Sequence, residues 1–498
     1  MIPVSSMNPG ARVGHDDADD VDEHDGFHDR CAVVGVWDPS SAGHAESAKL
    51  AYLMLYALQH RGQESAGIVA GDGEALKRRV GQGLVADVFS EADLTTLTGA
   101  VAIGHARYAT AGSEAADVDA RLRDAGPMLA RCQAGPIAVA HNGNLVNADA
   151  LRSQLEERGS IFSSTVDTEV ILHLVASTHG TLLQRLQKCL KQVRGAYALT
   201  VAGDGRLYGV RDPSGVRPLV VGRLPQGGFA LASETCAFDL VGADFVREVE
   251  PGEIVAIDDA GLTSHRLDNV DGLPIATCIF EHVYFARPDS VVFGVAVHEA
   301  RRAMGQLLAT ECPADADVVI PVPDSGVFAA MGYADVSGLP FAFGLVRNHY
   351  VGRTFIEPEQ RIRHFGVKLK LNPVRSILAG KRVVVVDDSL VRGTTSKKIV
   401  DMIRTMGAKE VHLRIAAPQT THPCFYGVDT PTKGELIASR LDVEGIRAFV
   451  GADSLGYLSR EGLHRASRQR EPSSPGACDA CFSGEYPIQI GGHKARRS

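Results

Sequence analysis

Four consecutive valines, Val383–Val386, run straight into Asp387 and Asp388, and then into the small turn Ser389-Leu390-Val391-Arg392-Gly393-Thr394-Thr395-Ser396. No other feature of the chain restricts its fold as much. An unbroken run of β-branched residues fits a strand buried on both faces, the environment of a parallel sheet covered by helices. Beyond the turn, Ile399, Met402, Ile403 and Met406 stand at i, i+3, i+4 and i+7, the stripe of an amphipathic helix that Gly407 can end. The unit reads strand, turn, helix, with two carboxylates at the carboxyl end of the strand. Ligands of open α/β sheets bind at that end, and the free N–H groups of the following helix suit phosphate. A second strand-to-turn unit, Val318-Val319-Ile320-Pro321-Val322-Pro323-Asp324-Ser325-Gly326, precedes it. The alternation of short apolar runs and amphipathic stretches in this half predicts a parallel α/β domain. It opens after Asp268–Pro274, a junction of Asp, Asn, Gly and Pro.

The whole chain has 498 residues, enough for two or three domains of roughly 100–200 residues each. Its formal charge of −9 and pI near 6.1 lack the basic excess of a dedicated nucleic-acid binder. No uncharged apolar run approaches the roughly 18 residues that cross a bilayer. Residues 1–30 show neither a secretory h-region nor the Arg-rich, acid-poor composition of an organelle address. Nine irregularly spaced cysteines do not make a disulfide scaffold. These features predict a protein of the reducing cytoplasm that partners neither membrane nor nucleic acid.

Residues 1–30 carry Asp16, Asp17, Asp19, Asp20, Asp22, Glu23, Asp25 and Asp29 against Arg12 and Arg30, with few large apolar side chains and Phe27 as the one aromatic. Such a stretch cannot offset its ordering entropy and reads as a disordered leader. The strand-like run Cys31-Ala32-Val33-Val34-Gly35-Val36-Trp37 then begins abruptly at a cysteine. If Cys31 becomes the N-terminus, its thiol (pKa about 8.5) stands beside an α-amine (pKa about 8) that can serve as a general base.

Four more segments follow in order. Leu50–Gln59 reads as a helix leading into Gln59-His60-Arg61-Gly62-Gln63-Glu64-Ser65-Ala66-Gly67. After it come Gly104-His105-Ala106-Arg107-Tyr108-Ala109-Thr110, then Ile137–Leu145 with His141-Asn142-Gly143-Asn144, then Ser164-Thr165-Val166-Asp167-Thr168-Glu169. Singly, Asn142-Gly143 would pass for a tight turn and Arg107 for a surface ion pair. Behind one cysteine, the set resembles the N-terminal-nucleophile glutaminase domain of the class II glutamine amidotransferases. The resemblance implies an αββα fold in which Cys31 attacks the side-chain amide of L-glutamine. Asn142 and the Gly143 N–H would form the oxyanion hole, Arg107 would hold the substrate carboxylate, and Asp167 its ammonium. A guanidinium fork suits a carboxylate, and preorganised donors suit a developing oxyanion.

The Val383–Ser396 segment, in turn, resembles the phosphoribosylpyrophosphate loop of type I phosphoribosyltransferases. That resemblance implies that Asp387 and Asp388 lie by the ribose hydroxyls and one Mg²⁺ per subunit, with a metal contact at Ser325. Asp387, Asp388, Ser389, Arg392, Gly393, Thr394, Thr395 and Ser396 would bind 5-phosphoribosyl 1-diphosphate. Between Gln360 and Val386 stand Arg361, Arg363, Lys368, Lys370, Arg375, Lys381 and Arg382 and no acid. A basic run is usually a solvated face, or else a nucleic-acid patch. With Arg347–Ile356 ahead of it, this one resembles the family's mobile lid. Gly81-Gln82-Gly83-Leu84-Val85-Ala86 fits a dinucleotide fingerprint but lacks the acid about twenty residues on, and reads as a turn.

Cys478-Asp479-Ala480-Cys481 is a CxxC, a signal for metal or for a redox pair. Taken together, the two halves resemble the amidophosphoribosyltransferases, one branch of which carries both a leader and a [4Fe–4S] cluster. The resemblance extends to Ser233–Asp239 and His422–Gly427, and so implies Cys236, Cys424, Cys478 and Cys481 as ligands of one cluster per subunit. Four thiolates would equally suit a structural Zn²⁺. Cys132, Cys189, Cys278 and Cys312 match no motif and read as buried apolar thiols. The expected organisation is a leader (1–30), a glutaminase domain (31–267), a phosphoribosyltransferase domain (268–460) and a tail bearing the CxxC (461–498). The family further implies a homotetramer inhibited by purine nucleotides. Two rivals remain: another class II amidotransferase would lack Val383–Ser396, and a phosphoribosyl-binding regulator would not need Cys31, Asn142 and Asp167 together.

Overall fold

The computed structural model describes residues 28–29, 31–107, 118–267, 272–348, 371–467 and 476–490. The leader before residue 28, Arg30, Tyr108–Thr110 and the 349–370 part of the expected lid lie outside the described residues.

The first half is a sandwich of two antiparallel sheets. One has seven strands in the order Asp244–Glu248, Val220–Arg223, Phe229–Ala232, Cys31–Trp37, Val101–Arg107, Ser65–Gly71, Leu76–Gln82. The other has six, in the order Gly261–Arg266, Glu253–Asp258, Arg206–Arg211, Gly195–Gly203, Gly135–Leu145, Met128–Cys132. The strand that begins at Cys31 shows why its sequence is apolar throughout. Val33 and Trp37 point into the core between the sheets with Ile103, Ala140 and Leu207, whereas Ala32, Val34 and Val36 pack outward under the helix Glu46–Ala57. Gly35 permits the sheets to close, since a Cβ there would stand 2.8 Å from Leu207 Cδ1. The helices Thr168–Ser177 and Leu182–Leu190 cover the far face of the second sheet. The layers are therefore helix, sheet, sheet, helix.

The second half has four parallel strands in the order Val318–Pro321, Arg382–Asp387, Glu410–Ile415, Ser454–Tyr457. The four valines divide by parity. Val384 and Val386 pack against the helices Val297–Glu311 and Val327–Ser337, and Val383 and Val385 against Thr394–Thr405 and Val443–Val450. All four are completely buried, each contributing on the order of 1.5–3 kcal/mol. That central strand delivers Asp387 to the carboxyl edge of the sheet.

The tail folds back on the body. Ala477–Cys478 pairs in parallel with Thr277–Cys278, just past the junction, and Phe482 enters the core beside Phe280. Ahead of Cys31, His28–Asp29 pairs antiparallel with Val428–Asp429 of the second half.

Candidate active site

Strand register brings the first site together. Cys31 lies directly opposite Arg107 on the neighbouring strand, and Ser65 faces Arg107 from the other side. Cys31 is 8% exposed. Asn142 and Gly143 come from the facing sheet, where they pair with Ala198 and Tyr197. His105 ties the two sheets: its Nε2 stands 3.1 Å from the His141 carbonyl oxygen, so Nε2–H donates. Burial pushes the His105 imidazole down to about 3, with the Arg107 and His141 charges acting in the same direction, so the ring is neutral. Asp167 completes the group. Its Oδ2 accepts from the Leu145 N–H at 2.9 Å, and His141 Nδ1 stands 3.4 Å from its Oδ1.

Asn142 is completely buried, yet neither its side-chain oxygen nor its nitrogen has a hydrogen-bond partner among the described residues. A buried amide left so costs free energy unless something supplies the bonds, and a reacting carbonyl oxygen would take the N–H. Gly143 has a φ of +147°, and a Cβ there would stand 2.0 Å from the Ala196 carbonyl oxygen. Only glycine fits. Arg107 is oriented by donating from Nη1 to the Asp124 carbonyl at 2.7 Å, with Glu64 3.7 Å from its Nε.

The second site sits at the carboxyl end of the central parallel strand. Asp387 and Asp388 are 8% and 7% exposed. The Asp388 N–H donates to Asp387 Oδ1 at 2.9 Å, Ser389 Oγ to Asp388 Oδ1 at 2.5 Å, and Ser325 Oγ to Asp388 Oδ2. Burial pushes the Asp388 carboxyl up, and the Ser325 and Ser389 hydroxyls together with the Arg301 guanidinium pull it back. Gly393, at φ +83°, turns the chain into the helix Thr394–Thr405, so Thr394, Thr395 and Ser396 form its first turn. Their N–H groups stand at the positive end of the helix dipole. Arg392 is held by Glu435 at 2.9 Å. The arrangement offers carboxylates for ribose hydroxyls and a cation, beside a cradle for a phosphate.

Four completely buried charges dock the halves. Arg61 donates from Nη2 to Glu281 at 2.5 Å and from Nε to Glu234, while Arg217 stands 3.3 Å from Glu281. Glu234 also accepts from Ser290 Oγ at 2.7 Å and the Arg287 N–H at 2.8 Å. Burial would raise its carboxyl, but Arg61 and His60 hold it well below the usual range. The Gln59–Gly67 motif is thus an interdomain clasp. Nothing in the sequence marked Glu281 or Arg217 as its partners.

The cysteine set needs a correction. Cys424, Cys478 and Cys481 line one apolar cavity with Phe280, Tyr426 and Tyr486, and the fourth thiol there is Cys278, not Cys236. Cys236 opens a helical turn under the first sheet, in the core with Leu55 and Phe238, where its thiol reaches Glu234 at 3.8 Å. The parallel pairing of Thr277–Cys278 with Ala477–Cys478 aligns Cys278 with Cys478, a juxtaposition that spacing along the chain cannot reveal. Burial pushes the Cys278 thiol up to about 12, and those of Cys478 and Cys481 well up. Among the described residues, no three His, Cys, Asp or Glu side chains converge on a single-ion site. Cys278, Cys424, Cys478 and Cys481 all line the one cavity.

A model of the glutamine amidotransferase domain matches residues 114–239, and one of the phosphoribosyl transferase domain matches residues 295–423. The chloroplastic amidophosphoribosyltransferase of Vigna aconitifolia is 54% identical over 462 residues, 93% of this chain and 92% of that one. This chain belongs to the amidophosphoribosyltransferase family. The amidophosphoribosyltransferase of Bacillus subtilis (strain 168) is 49% identical over 469 residues, 93% of this chain and 95% of its own. The solved glutamine phosphoribosylpyrophosphate amidotransferase of B. subtilis, complexed with ADP and GMP, matches with a TM-score of 0.85 at 48% identity, covering 92% of this chain and 98% of that one. As an amidophosphoribosyltransferase, the chain is a glutamine-dependent pentosyl transferase of purine biosynthesis. Ammonia from glutamine displaces pyrophosphate from 5-phosphoribosyl diphosphate and gives 5-phosphoribosylamine. No helix among the described residues is long and apolar enough to cross a membrane.

Proposed function

We propose that the two half-reactions divide between the two sites, with Cys31 releasing ammonia and Asp387–Ser396 consuming it. The observation that carries this reading is the buried, unpartnered Asn142 amide on the sheet facing Cys31 and Arg107. The freed Cys31 α-amine takes the thiol proton, and Sγ adds to the glutamine amide carbon. The negative charge moves to the amide oxygen, which accepts from Asn142 Nδ2 and the Gly143 N–H. Collapse breaks the C–N bond, ammonia leaves with the proton from the amine, and a γ-glutamyl thioester remains. Water then releases glutamate and restores the thiol. Arg107 and Asp167 bind the substrate carboxylate and ammonium. At the second site Thr394, Thr395 and Ser396 hold the 5′-phosphate, Arg392 and Ser389 flank it, and ammonia attacks ribose C1 as pyrophosphate departs.

Two carboxylates beside a hydroxyl fit Mg²⁺, which is usually held by one or two carboxylates plus substrate oxygens. Asp387, Asp388 and Ser325 would hold it, and its charge would offset that of the leaving diphosphate. The four cysteines lining the cavity fit a [4Fe–4S] cluster ligated by Cys278, Cys424, Cys478 and Cys481. Four thiolates would equally suit a structural Zn²⁺, and the iron–sulfur reading rests on the family resemblance. The closed shell makes the cluster structural. The leader is read as a propeptide whose removal frees the Cys31 amine, the assembly as a homotetramer, and the compartment as the cytoplasm. Purine nucleotides are the expected inhibitors, in line with the ADP and GMP bound to the B. subtilis relative.

The test is Cys31→Ala. It should abolish glutamine-dependent synthesis while ammonia-dependent synthesis stays within about twofold of the parent. Loss of both in a folded variant overturns the division.

A further inference from the structure

The loop that carries Cys424 reaches far beyond the cysteine cavity. Phe425–Thr430 belongs to the second half of the chain, yet its backbone lies against the oxyanion strand of the first. Asn144, next to Gly143, donates from Nδ2 to the Phe425 carbonyl at 2.9 Å. Gly427 has a φ of +102°, and a Cβ built on it would stand 2.8 Å from both the Cα and the carbonyl carbon of Gly143. Side-chain contacts across a domain boundary are commonplace. Backbone against backbone, glycine facing glycine, is a tighter constraint, because neither partner has a rotamer through which to yield.

We infer that Gly427 and the Phe425 carbonyl are positioning groups for the oxyanion hole, so that the glutaminase site is completed by the phosphoribosyltransferase half. The inference rests on the reading of Asn142 and Gly143 as the oxyanion donors. Gly143 is held on one side by the neighbouring strand, where a Cβ would collide with the Ala196 carbonyl, and on the other by Gly427. Its φ of +147° is open only to glycine, so its own preferences do not fix the direction of its N–H. The two flanking backbones do. The loop is itself anchored away from the sandwich. The Cys424 N–H donates to Thr430 Oγ1 at 2.8 Å, and Tyr426 Oη donates to the Ile488 carbonyl at 2.6 Å and accepts from the Ile488 N–H at 3.0 Å. Through Val428–Asp429 the same loop pairs with His28–Asp29, just ahead of the nucleophile. One loop thus touches the tail, the oxyanion strand and the segment that precedes Cys31.

Removing a single oxyanion donor typically costs roughly 10²–10³-fold in kcat, and displacing one should cost less. Gly427→Ala should therefore lower glutaminase kcat roughly 10- to 100-fold with KM for glutamine nearly unchanged. The assay uses the full cluster-bearing protein with its N-terminus verified at Cys31 by mass. Ammonia-dependent synthesis and iron content should stay at parental values. Affinity for the γ-aldehyde analogue of glutamine, whose thiohemiacetal bears the oxyanion, should fall in parallel with kcat, while affinity for glutamate should not. Asn144→Ala severs the tether without adding bulk, and decides the matter if Gly427→Ala does not fold. A smaller fall with the same kcat-against-KM pattern is expected. Parental kcat in both variants, or equal loss of both activities together with iron, overturns the inference. Asn142→Ala, run alongside, separates the layers. If it leaves kcat intact, the hole itself is misassigned. If it abolishes kcat while Gly427→Ala and Asn144→Ala do nothing, the hole stands and the loop has no part in it.

Discussion

In the parallel sheet, the groups proposed to bind the phosphoribosyl substrate come from one stretch, Asp387–Ser396, whereas in the sandwich Cys31, Arg107, Asn142 and Asp167 come from four segments on two sheets and a helix start. The difference follows from backbone physics. A parallel strand ends where a helix begins, so a single turn already supplies side-chain carboxylates, free N–H groups and the helix dipole. An antiparallel sandwich has no such ready-made end. Its site needs a strand terminus for the nucleophile, donors from the facing sheet, and ties such as His105 to keep the sheets in register. The contiguous site depends on local geometry. The dispersed one depends on everything that holds the sheets together, including the second half of the chain.

The sharpest way to break that contrast is Asp387→Asn. Because the carboxylate sits in the contiguous site, its loss should lower phosphoribosylamine formation, with either glutamine or ammonia as donor, by on the order of 10²–10³-fold. Glutamine hydrolysis should remain measurable. Parental synthesis at saturating Mg²⁺ would remove Asp387 from the site. Equal loss of glutaminase would mean that the sites are not separable.

The next effect concerns the cysteines, where one substitution should act and its neighbour in expectation should not. Cys278→Ser should yield protein without its iron and visible absorbance, since three thiols cannot complete the shell. Cys236→Ser should keep the iron, because that thiol faces Glu234 in a separate core. The opposite pattern of iron content would return Cys236 to the ligand set.

How much of this was legible in the sequence divides along the same line. The strand, turn and helix of Val383–Ser396 could be read directly, because strand parity, carboxylates and helix start are encoded within fourteen adjacent positions. The apolar run at Cys31 gave away a buried strand but not its partner, which register with Val101–Arg107 determines. Cys236 lies apart from the cavity lined by Cys424, Cys478 and Cys481, and Cys278 takes its place there, for the same reason. Cys278 meets Cys478 through a two-residue pairing between segments two hundred positions apart, and no periodicity announces such a contact. The clasp of Arg61, Glu234, Glu281 and Arg217 was invisible too, since each charge looks solvent-exposed until both halves are folded.

The smallest predicted effect tests the tie between the sheets. His105 is neutral and buried, with its imidazole pushed down to about 3, while in the unfolded chain it should titrate near the ordinary value of about 6.5. Between those values the unfolded chain binds a proton that the folded chain does not. The contribution of His105 to stability is therefore fully present above about pH 6.5 and lost as pH falls through the window, at up to about 1.4 kcal/mol per pH unit. The sandwich reports on itself, because the only tryptophan of the chain, Trp37, lies in the core between its sheets. Thermal unfolding followed by Trp37 fluorescence should shift downward by a few degrees from pH 7 to pH 5. His105→Gln cannot take up that proton, and its amide can still reach for the His141 carbonyl. It should start from a lower midpoint at pH 7, having lost ring packing, but should show a smaller drop on acidification. An equal drop in both proteins would mean that the acid sensitivity of the sandwich arises elsewhere. A smaller drop in the variant would identify the tie that holds the oxyanion strand opposite Cys31 as the point where acid first loosens the dispersed site.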